Sequence, residues 1–296
     1  MIDGMKKLGL LAALALYGCA TTAAEAPAGP KPAMWVLSDS DTRIYLFGTF
    51  HLLPKGYAWR SAKIDEAIAE SSTLVTEIGD IGDPAASAGT MMSLGVSPGL
   101  PPIMDRVPED KKDELREMIA ESGIPAVALD RLETWAAAMA LIGVTFKRLE
   151  LDPDAGVESG LHAGFKQAGK PIEGLETIAQ QFGFFDKLPE DAQRAFLAGM
   201  LDDPAEMKRL FERMTVAWSS GDVEDIAATF NEQVDFSPVL RERLLAQRNA
   251  AWAEWLEKRL EKPGTIMVAV GAGHLAGRDS VQDMLAKKGL KTKRVQ

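Results

Sequence analysis

Residues 265–275 read Thr-Ile-Met-Val-Ala-Val-Gly-Ala-Gly-His-Leu, an almost wholly apolar run that follows Pro263-Gly264 and ends in a glycine-rich turn carrying a histidine. A short apolar run bounded by turn formers has the signature of a strand buried on both faces. Near the other end of the chain, Tyr45-Leu46-Phe47-Gly48-Thr49-Phe50-His51-Leu52 repeats the arrangement, an apolar strand running into Gly-x-x-His-Leu. Around these two stretches strands and helices alternate. Met34–Leu37 and Arg43–Gly48, separated by Ser38-Asp39-Ser40-Asp41, predict a hairpin or two adjoining strands. Ala62, Ile64, Ala67 and Ile68 predict a helix within residues 59–71, and the β-branched run Thr73–Ile78 predicts a strand with Glu77 near its C-terminal end.

The middle of the chain is helical. Residues 79–107, rich in Gly, Pro and Met, predict a loosely helical segment able to cover a cleft. Helices are expected over residues 108–121, 131–148 and 156–168, the last ended by Gly169. Pro171–Gly174 reads as a short strand that delivers Glu176 to a following helix. Residues 189–261 read as helix broken at Asp203-Pro204, Ser219-Ser220-Gly221 and Ser237-Pro238. A helix at 280–288, ended by Gly289, leads to Leu290–Val295, an edge strand with lysines facing water. The pattern predicts an α/β fold whose central mixed sheet is built from strands of both chain ends, with helical insertions between them.

Composition narrows the function. The chain has 296 residues, 46% hydrophobic and 26% charged, the balance of a globular protein. Its net charge is -10, with lysines and arginines scattered among acids, so no basic stripe exists for a phosphate backbone and nucleic-acid binding is excluded. One cysteine excludes an intramolecular disulfide, multi-cysteine zinc sites and iron–sulfur clusters. Lys6 and Lys7 precede the apolar run Leu8–Leu16 and then Tyr17, Gly18 and Cys19, an export signal too short to span a bilayer. Leu16-Tyr17-Gly18-Cys19 resembles a bacterial lipobox, so residues 1–18 are expected to be a lipoprotein-type signal peptide and Cys19 the lipidated residue. Two or more acyl chains give stable anchoring. Ala20 in place of Asp then points to the outer membrane of the cell envelope, facing the periplasm, with membrane contact only through the lipid anchor. The alternative is ordinary cleavage near Ala24 or Ala26. Residues 19–33, small and proline-rich, are expected to be a flexible tether to a domain over 34–296.

The chemistry gathers on few residues. Of three histidines, His51 and His274 each fall just past the C-terminal end of an apolar strand, where open α/β sheets place their ligand crevices. Glu77 ends a third strand in the same way. Two imidazoles and a carboxylate suit a divalent transition metal (Mn, Co, Zn or Fe) with positions left for water, which is hydrolase chemistry. A metal-free version uses one histidine as general base oriented by Glu77 and the other to stabilise developing charge. The bland alternative is that both histidines only hydrogen-bond at strand ends. His162, in mid-helix, is expected on a helix surface. Glu176 is better placed than Glu173 to reach the crevice. Arg248 and Asn249 lie in a charged helix whose default reading is a solvated face, and Trp252 and Trp255 read as a core stripe.

These residues together resemble the TraB/GumN family, which includes the TIKI metalloproteases and is similar, more remotely, to the ChaN and erythromycin-esterase proteins. The resemblance rests on Tyr45–His51, on Leu74-Val75-Thr76-Glu77, and on Gly169-Lys170-Pro171-Ile172 followed by Gly174-Leu175-Glu176-Thr177 and Gln181. It rests also on the Arg248-Asn249 pair and on Val270–Leu275, and spans about residues 34–296. It implies a single domain in which paired Gly-x-x-His motifs face one cleft with a glutamate between them. His51, Glu77 and His274 are then the metal ligands, with Glu77, Glu176 and Arg248 in catalytic roles: Glu77 as ligand or base, Glu176 as orienter or further ligand, Arg248 steadying a substrate carboxylate or oxyanion. Gly156-Val157-Glu158 departs from the family, standing where a Gly-hydrophobic-Asp element is expected. The implied function is a metal-dependent hydrolase of the cell envelope acting on peptides. The alternatives are a binding module of the same fold for haem, a peptide signal or a small molecule, with Met91 and Met92 as aids, and a metal-free esterase.

Overall fold

The computed structural model describes residues 29–79, 84–234 and 238–296. The expected signal peptide, Cys19 and most of the expected tether lie outside them. The hairpin forms as expected. Strand β1 (Met34–Ser38) pairs antiparallel with β2 (Thr42–Thr49), from Met34 opposite Phe47 to Ser38 opposite Arg43. The Asp39 carboxylate accepts the N–H groups of Asp41 and Thr42 at 3.1 and 2.8 Å, closing the turn with its own side chain.

The other strands are β3 (Leu74–Ile78), β4 (Ile172–Glu176), β5 (Gly264–Gly271) and β6 (Thr292–Arg294), and the sheet order is β4-β3-β5-β2-β1-β6. The apolar run before His274, β5, lies in the middle, parallel to β2 on one side and to β3 on the other. β4 is parallel to β3, and β6 pairs antiparallel with β1 at the far edge. Four neighbouring parallel strands therefore end along the same rim of the sheet.

Helix α1 (Ala62–Glu70), capped by the Ser61 hydroxyl, connects β2 to β3. Between β3 and β4 come α2 (Pro84–Gly95), α3 (Lys112–Ser122), α4 (Ala126–Leu129), α5 (Thr134–Arg148) and α6 (Val157–Gln167). Between β4 and β5 come α7 (Ile178–Asp186), α8 (Glu190–Gly199), α9 (Pro204–Ser220), α10 (Val223–Val234), α11 (Pro238–Arg241) and α12 (Gln247–Arg259). Helix α13 (Val281–Lys287) precedes β6.

Strand alternation divides β5 between two cores. Met267 and Ala269 join Phe47 and Leu74 against Ile64, Phe165 and Trp218, while Ile266, Val268 and Val270 join Leu46 and Val75 against Trp252 and Leu256 of α12 and Leu285 of α13. A mixed sheet covered on both faces results, as the apolar runs require. A third core, around the fully buried Trp135 with Leu115, Met118, Leu141 and Leu197, holds the helical insertion together.

The segment expected to cover a cleft does something else. Helix α2 packs on this helical insertion, where a Cβ at Gly95 would lie 2.5 Å from the Ala136 Cβ. Its end is tied by the Glu133 N–H to the Gly95 carbonyl at 2.7 Å. Met91 packs against the third core and Met92 is exposed, and neither lines the cleft described below. The apolar positions of α2 fit that neighbour, which composition does not name.

Candidate functional site

The rim of the four parallel strands carries, in spatial order, Glu176 at the end of β4, Glu77 near the end of β3, His274 just past β5 and His51 just past β2. The structure thus brings together all five residues that the sequence singles out for chemistry, because Arg248 reaches the same point from α12.

Each imidazole is pinned by its outer nitrogen. His274 Nδ1 lies 2.6 Å from Asn249 Oδ1, and the Asn249 amide nitrogen donates to the Asp279 carbonyl at 2.7 Å. That second bond fixes which end of the amide faces His274, so Nδ1 is the protonated nitrogen and Nε2 carries the lone pair. His51 Nδ1 lies 2.8 Å from Glu158 Oε1, which also accepts a short hydrogen bond from the Thr49 hydroxyl. Glu158 sits in the first turn of α6, where the helix dipole favours a carboxylate, and the Val157 N–H holds that turn to the Phe50 carbonyl at 3.0 Å. Both Nε2 atoms consequently face Glu77 Oε1, at 3.9 Å from His51 and 3.8 Å from His274.

Glu77 is fixed on both oxygens. Oε1 accepts the Gly271 N–H at 2.9 Å, and Oε2 accepts Arg248 Nη2 at 2.6 Å and the Gln181 amide at 3.3 Å. Arg248 is only 7% exposed, against the solvated helix face expected of it before the family resemblance. Its Nε and Nη2 donate to the two Glu176 oxygens at 2.8 and 2.9 Å, and Nη1 donates to the Leu244 carbonyl at 3.3 Å and lies 3.2 Å from His274 Nε2. With the Glu77 bond, all five guanidinium N–H groups are committed inside the protein. The Trp252 indole N–H completes Glu176 at 3.0 Å, so the expected core stripe also serves the site. The Leu244 carbonyl is available because residues Glu242–Ala246 form a π-helical turn ahead of α12, a departure from regular helix often found at functional sites.

Charge follows from this geometry. Burial opposes ionisation of Glu77, but His274, Arg248 and His51 and the Gly271 N–H outweigh it and bring its pKa down to about 2. Burial lowers His274 to about 3 despite Glu77, with Arg248 and His51 adding to the effect, so this imidazole is neutral. Desolvation also works against the His51 imidazolium, yet the Glu158 carboxylate, with Glu77 behind it, raises its pKa to about 9. The His51 side chain is 62% exposed and presents its open face to the cleft.

The cleft above this floor encloses about 510 Å³. Phe50, Phe211, Met214 and Trp218 form one wall, Phe185 and Phe196 another, and Leu240, Leu244 and Leu245 a third. Its polar side chains, Thr49, His51, Glu77, Arg248 and His274, all lie at the floor.

Among the described residues no group of three His, Cys, Asp or Glu side chains stands close enough together to hold a metal ion as placed. The donor chemistry nevertheless suits one. Two metal–ligand bonds of about 2.0–2.1 Å span up to roughly 4 Å, the separation of each Nε2 from Glu77 Oε1. Gly271 leaves that space open: a Cβ there would lie 3.2 Å from His51 Nε2, 3.3 Å from Glu77 Oε1 and 3.7 Å from His274 Cδ2.

Other expectations fare differently. Glu173 is exposed and outside the site. His162 is half-buried rather than on a helix surface, its Nε2 3.2 Å from the Thr76 hydroxyl, on the face of β3 opposite Glu77. Thr177 of the quoted motif caps α7 in a reciprocal box with Gln180, which aims Gln181 at Glu77. Glu158 was not among the expected site residues. What signals it is the Gly-hydrophobic-acid element, which keeps a carboxylate at its last position although the residue is Glu rather than Asp.

Comparisons with known proteins place the chain in a family. The family described as TraB/PrgY/gumN matches residues 33–294. A protein of Escherichia coli (strain K12) named uncharacterized protein YbaP is 26% identical over 254 residues, 86% of this chain and 92% of that protein. A Treponema pallidum (strain Nichols) protein, also named as uncharacterized, is 23% identical over 273 residues, 86% of this chain and 80% of its own length. No solved structure matches. The matched stretch contains every strand of the sheet and every residue of the cleft floor, and the chain belongs to the TraB/PrgY/gumN family.

Proposed function

We propose that the chain is an exported hydrolase of the cell envelope that cleaves peptide bonds with a divalent metal ion held by His51, Glu77 and His274. The observation that carries this reading is the pair of pinned imidazoles. Asn249 and Glu158 engage the outer nitrogens, and both Nε2 atoms face one Glu77 oxygen across the space that Gly271 leaves open. Such outer partners fix tautomer and ring orientation in metal sites. A bound metal of this kind lowers the pKa of water and polarises a carbonyl.

The chain's own residues have separable tasks. Glu77, whose two oxygens are held by the Gly271 N–H, Arg248 and the Gln181 amide, acts as a ligand carboxylate. Arg248 spends three N–H groups on Glu77 and Glu176 and a fourth on the Leu244 carbonyl, so it positions Glu77, with Glu176 as its counter-charge. Only the N–H now on His274 Nε2 would be released to a metal-bound state.

One observation favours a second reading, a metal-free esterase. Arg248 Nη1 lies 3.2 Å from His274 Nε2, on the lone pair a metal would need, and a protonated His51 faces the cleft ready to stabilise an oxyanion. Elemental analysis of the purified protein and of its His51→Ala/His274→Ala variant decides between them. Near-stoichiometric Mn, Co, Zn or Fe that vanishes in the variant supports the metallohydrolase. No metal in either folded protein, and none taken up on addition, overturns it in favour of the second reading.

A further inference from the structure

We infer that this site reads one large apolar side chain next to the scissile bond, aromatic or branched aliphatic, and ignores the charged ends of the peptide. The inference rests on the hydrolase reading and adds to it the substrate class.

Two facing aromatic groups frame the cleft. Phe50 lies 5.4 Å from Phe211 and 5.7 Å from Trp218 between ring centroids, and on the helical insertion Phe185 and Phe196 are 5.7 Å apart. The polar end of Trp218 is spent, since its indole N–H donates to the Gly48 carbonyl at 2.9 Å, so its ring offers only apolar surface. A space of about 510 Å³ lies within the range of ligand sites that enclose most of their ligand. Phe50 directly precedes His51, so this apolar wall begins beside the reacting atoms.

The charges at the floor are turned inward. Four of the five N–H groups of Arg248 are committed to Glu77, Glu176 and the Leu244 carbonyl and the fifth is turned to His274, leaving no pair of N–H groups for the two oxygens of a C-terminal carboxylate. Glu77 and Glu176 already share the Arg248 guanidinium as counter-charge, with Gly271 and Trp252 as further donors, leaving no unbalanced carboxylate for a terminal amine. Among the described residues no lysine and no aspartate line the cleft. An exopeptidase needs a group for the terminus it trims, whereas this arrangement fits an internal peptide bond chosen by its apolar neighbour.

The test separates binding from turnover. Capped peptides of the form acetyl-Gly-Xaa-Gly-amide, with Xaa Phe, Leu, Gly, Lys or Glu, are titrated calorimetrically into the Glu77→Gln protein, and the same peptides are then offered to the parent with Zn or Mn. Phe and Leu peptides should bind roughly 10- to 100-fold tighter than Gly, Lys or Glu peptides, the range expected for burying one large apolar side chain. Phe211→Ala and, on the other aromatic group, Phe196→Ala should each weaken that preference at a temperature where circular dichroism shows both variants folded, the lost ring packing lowering their unfolding temperatures. Equal affinity for all five, tighter binding when the C-terminal cap is removed, or no binding of any capped peptide at millimolar concentration overturns the inference. Tight binding of the Phe peptide without cleavage by the metal-loaded parent leaves this inference standing and sinks the hydrolase reading. Cleavage of all five at equal rates does the reverse.

Discussion

Adding one methyl group at Gly271 should disable the site while leaving the fold intact. The backbone there has φ -48° and ψ 135°, an ordinary extended conformation, so alanine meets no strain. It also restricts the unfolded chain, an effect of about 0.4–1 kcal/mol in favour of folding. The Gly271 N–H bond to Glu77 survives the substitution. The new Cβ would sit 3.2 Å from His51 Nε2 and 3.3 Å from Glu77 Oε1, whereas unstrained contacts between heavy atoms lie near 3.5–4.0 Å. His51, 62% exposed, can yield the few tenths of an ångström at small cost, so net stability should stay within about 1 kcal/mol of the parent. Ligation does not tolerate such a shift, because metal–ligand distances hold to about 0.2 Å, and a misplacement of about 1 Å costs on the order of 100-fold in rate. Metal affinity, followed by titration with Co(II) and its absorption bands, should therefore fall roughly 10- to 100-fold, with the urea midpoint nearly unchanged. Unchanged metal affinity would refute the placement of the centre. A stability loss above about 3 kcal/mol would refute the argument that the fold does not need this space.

Other consequences are open to measurement. Arg248→Met strips the counter-charge from buried Glu77 and Glu176 and should cost about 3–5 kcal/mol in urea unfolding, and a loss below about 1 kcal/mol would show that the network is not the clamp described. In metal-free protein the His51 imidazole should titrate near 9, and Glu158→Gln should lower that value; a proton resonance titrating near the ordinary value of 6.5 would contradict the pairing. Because the folded pKa is raised, the stabilisation from His51 is complete below about 6.5 and fades as pH rises through about 9, so the parent should lose more stability than Glu158→Gln across that window. Cys19→Ala should move the protein from the membrane fraction to the soluble periplasmic fraction, and retention in membranes would defeat the lipidation proposal.

The sheet and the three strand-end residues were legible because each rests on a local pattern. An apolar run meets a glycine turn at 48–51 and again at 271–274, and a β-branched run ends near Glu77. Arg248 was not legible from its surroundings, since an arginine in a charged helix is normally solvated. It is buried only because carboxylates 171 and 72 residues away in sequence converge on it. Glu158 escaped for a similar reason: its task depends on His51, 107 residues distant by number, meeting the first turn of α6. Helix α2 shows the limit of composition, which predicted a loosely helical segment able to cover a cleft but not the Trp135 core that holds it in place.

The central place of β5 has a consequence for how the protein matures. It slots between β2 and β3, although roughly two hundred residues separate it from either. Until residue 271 is in hand, two long hydrogen-bonding edges stand bare, and such edges invite pairing with the wrong chain. Folding must also wait for contacts of great sequence separation, which is slow. Any nascent or clipped form ending before His274 would therefore lack part of the proposed site and be prone to aggregate, so that function of the site would double as a report that the chain runs past residue 274.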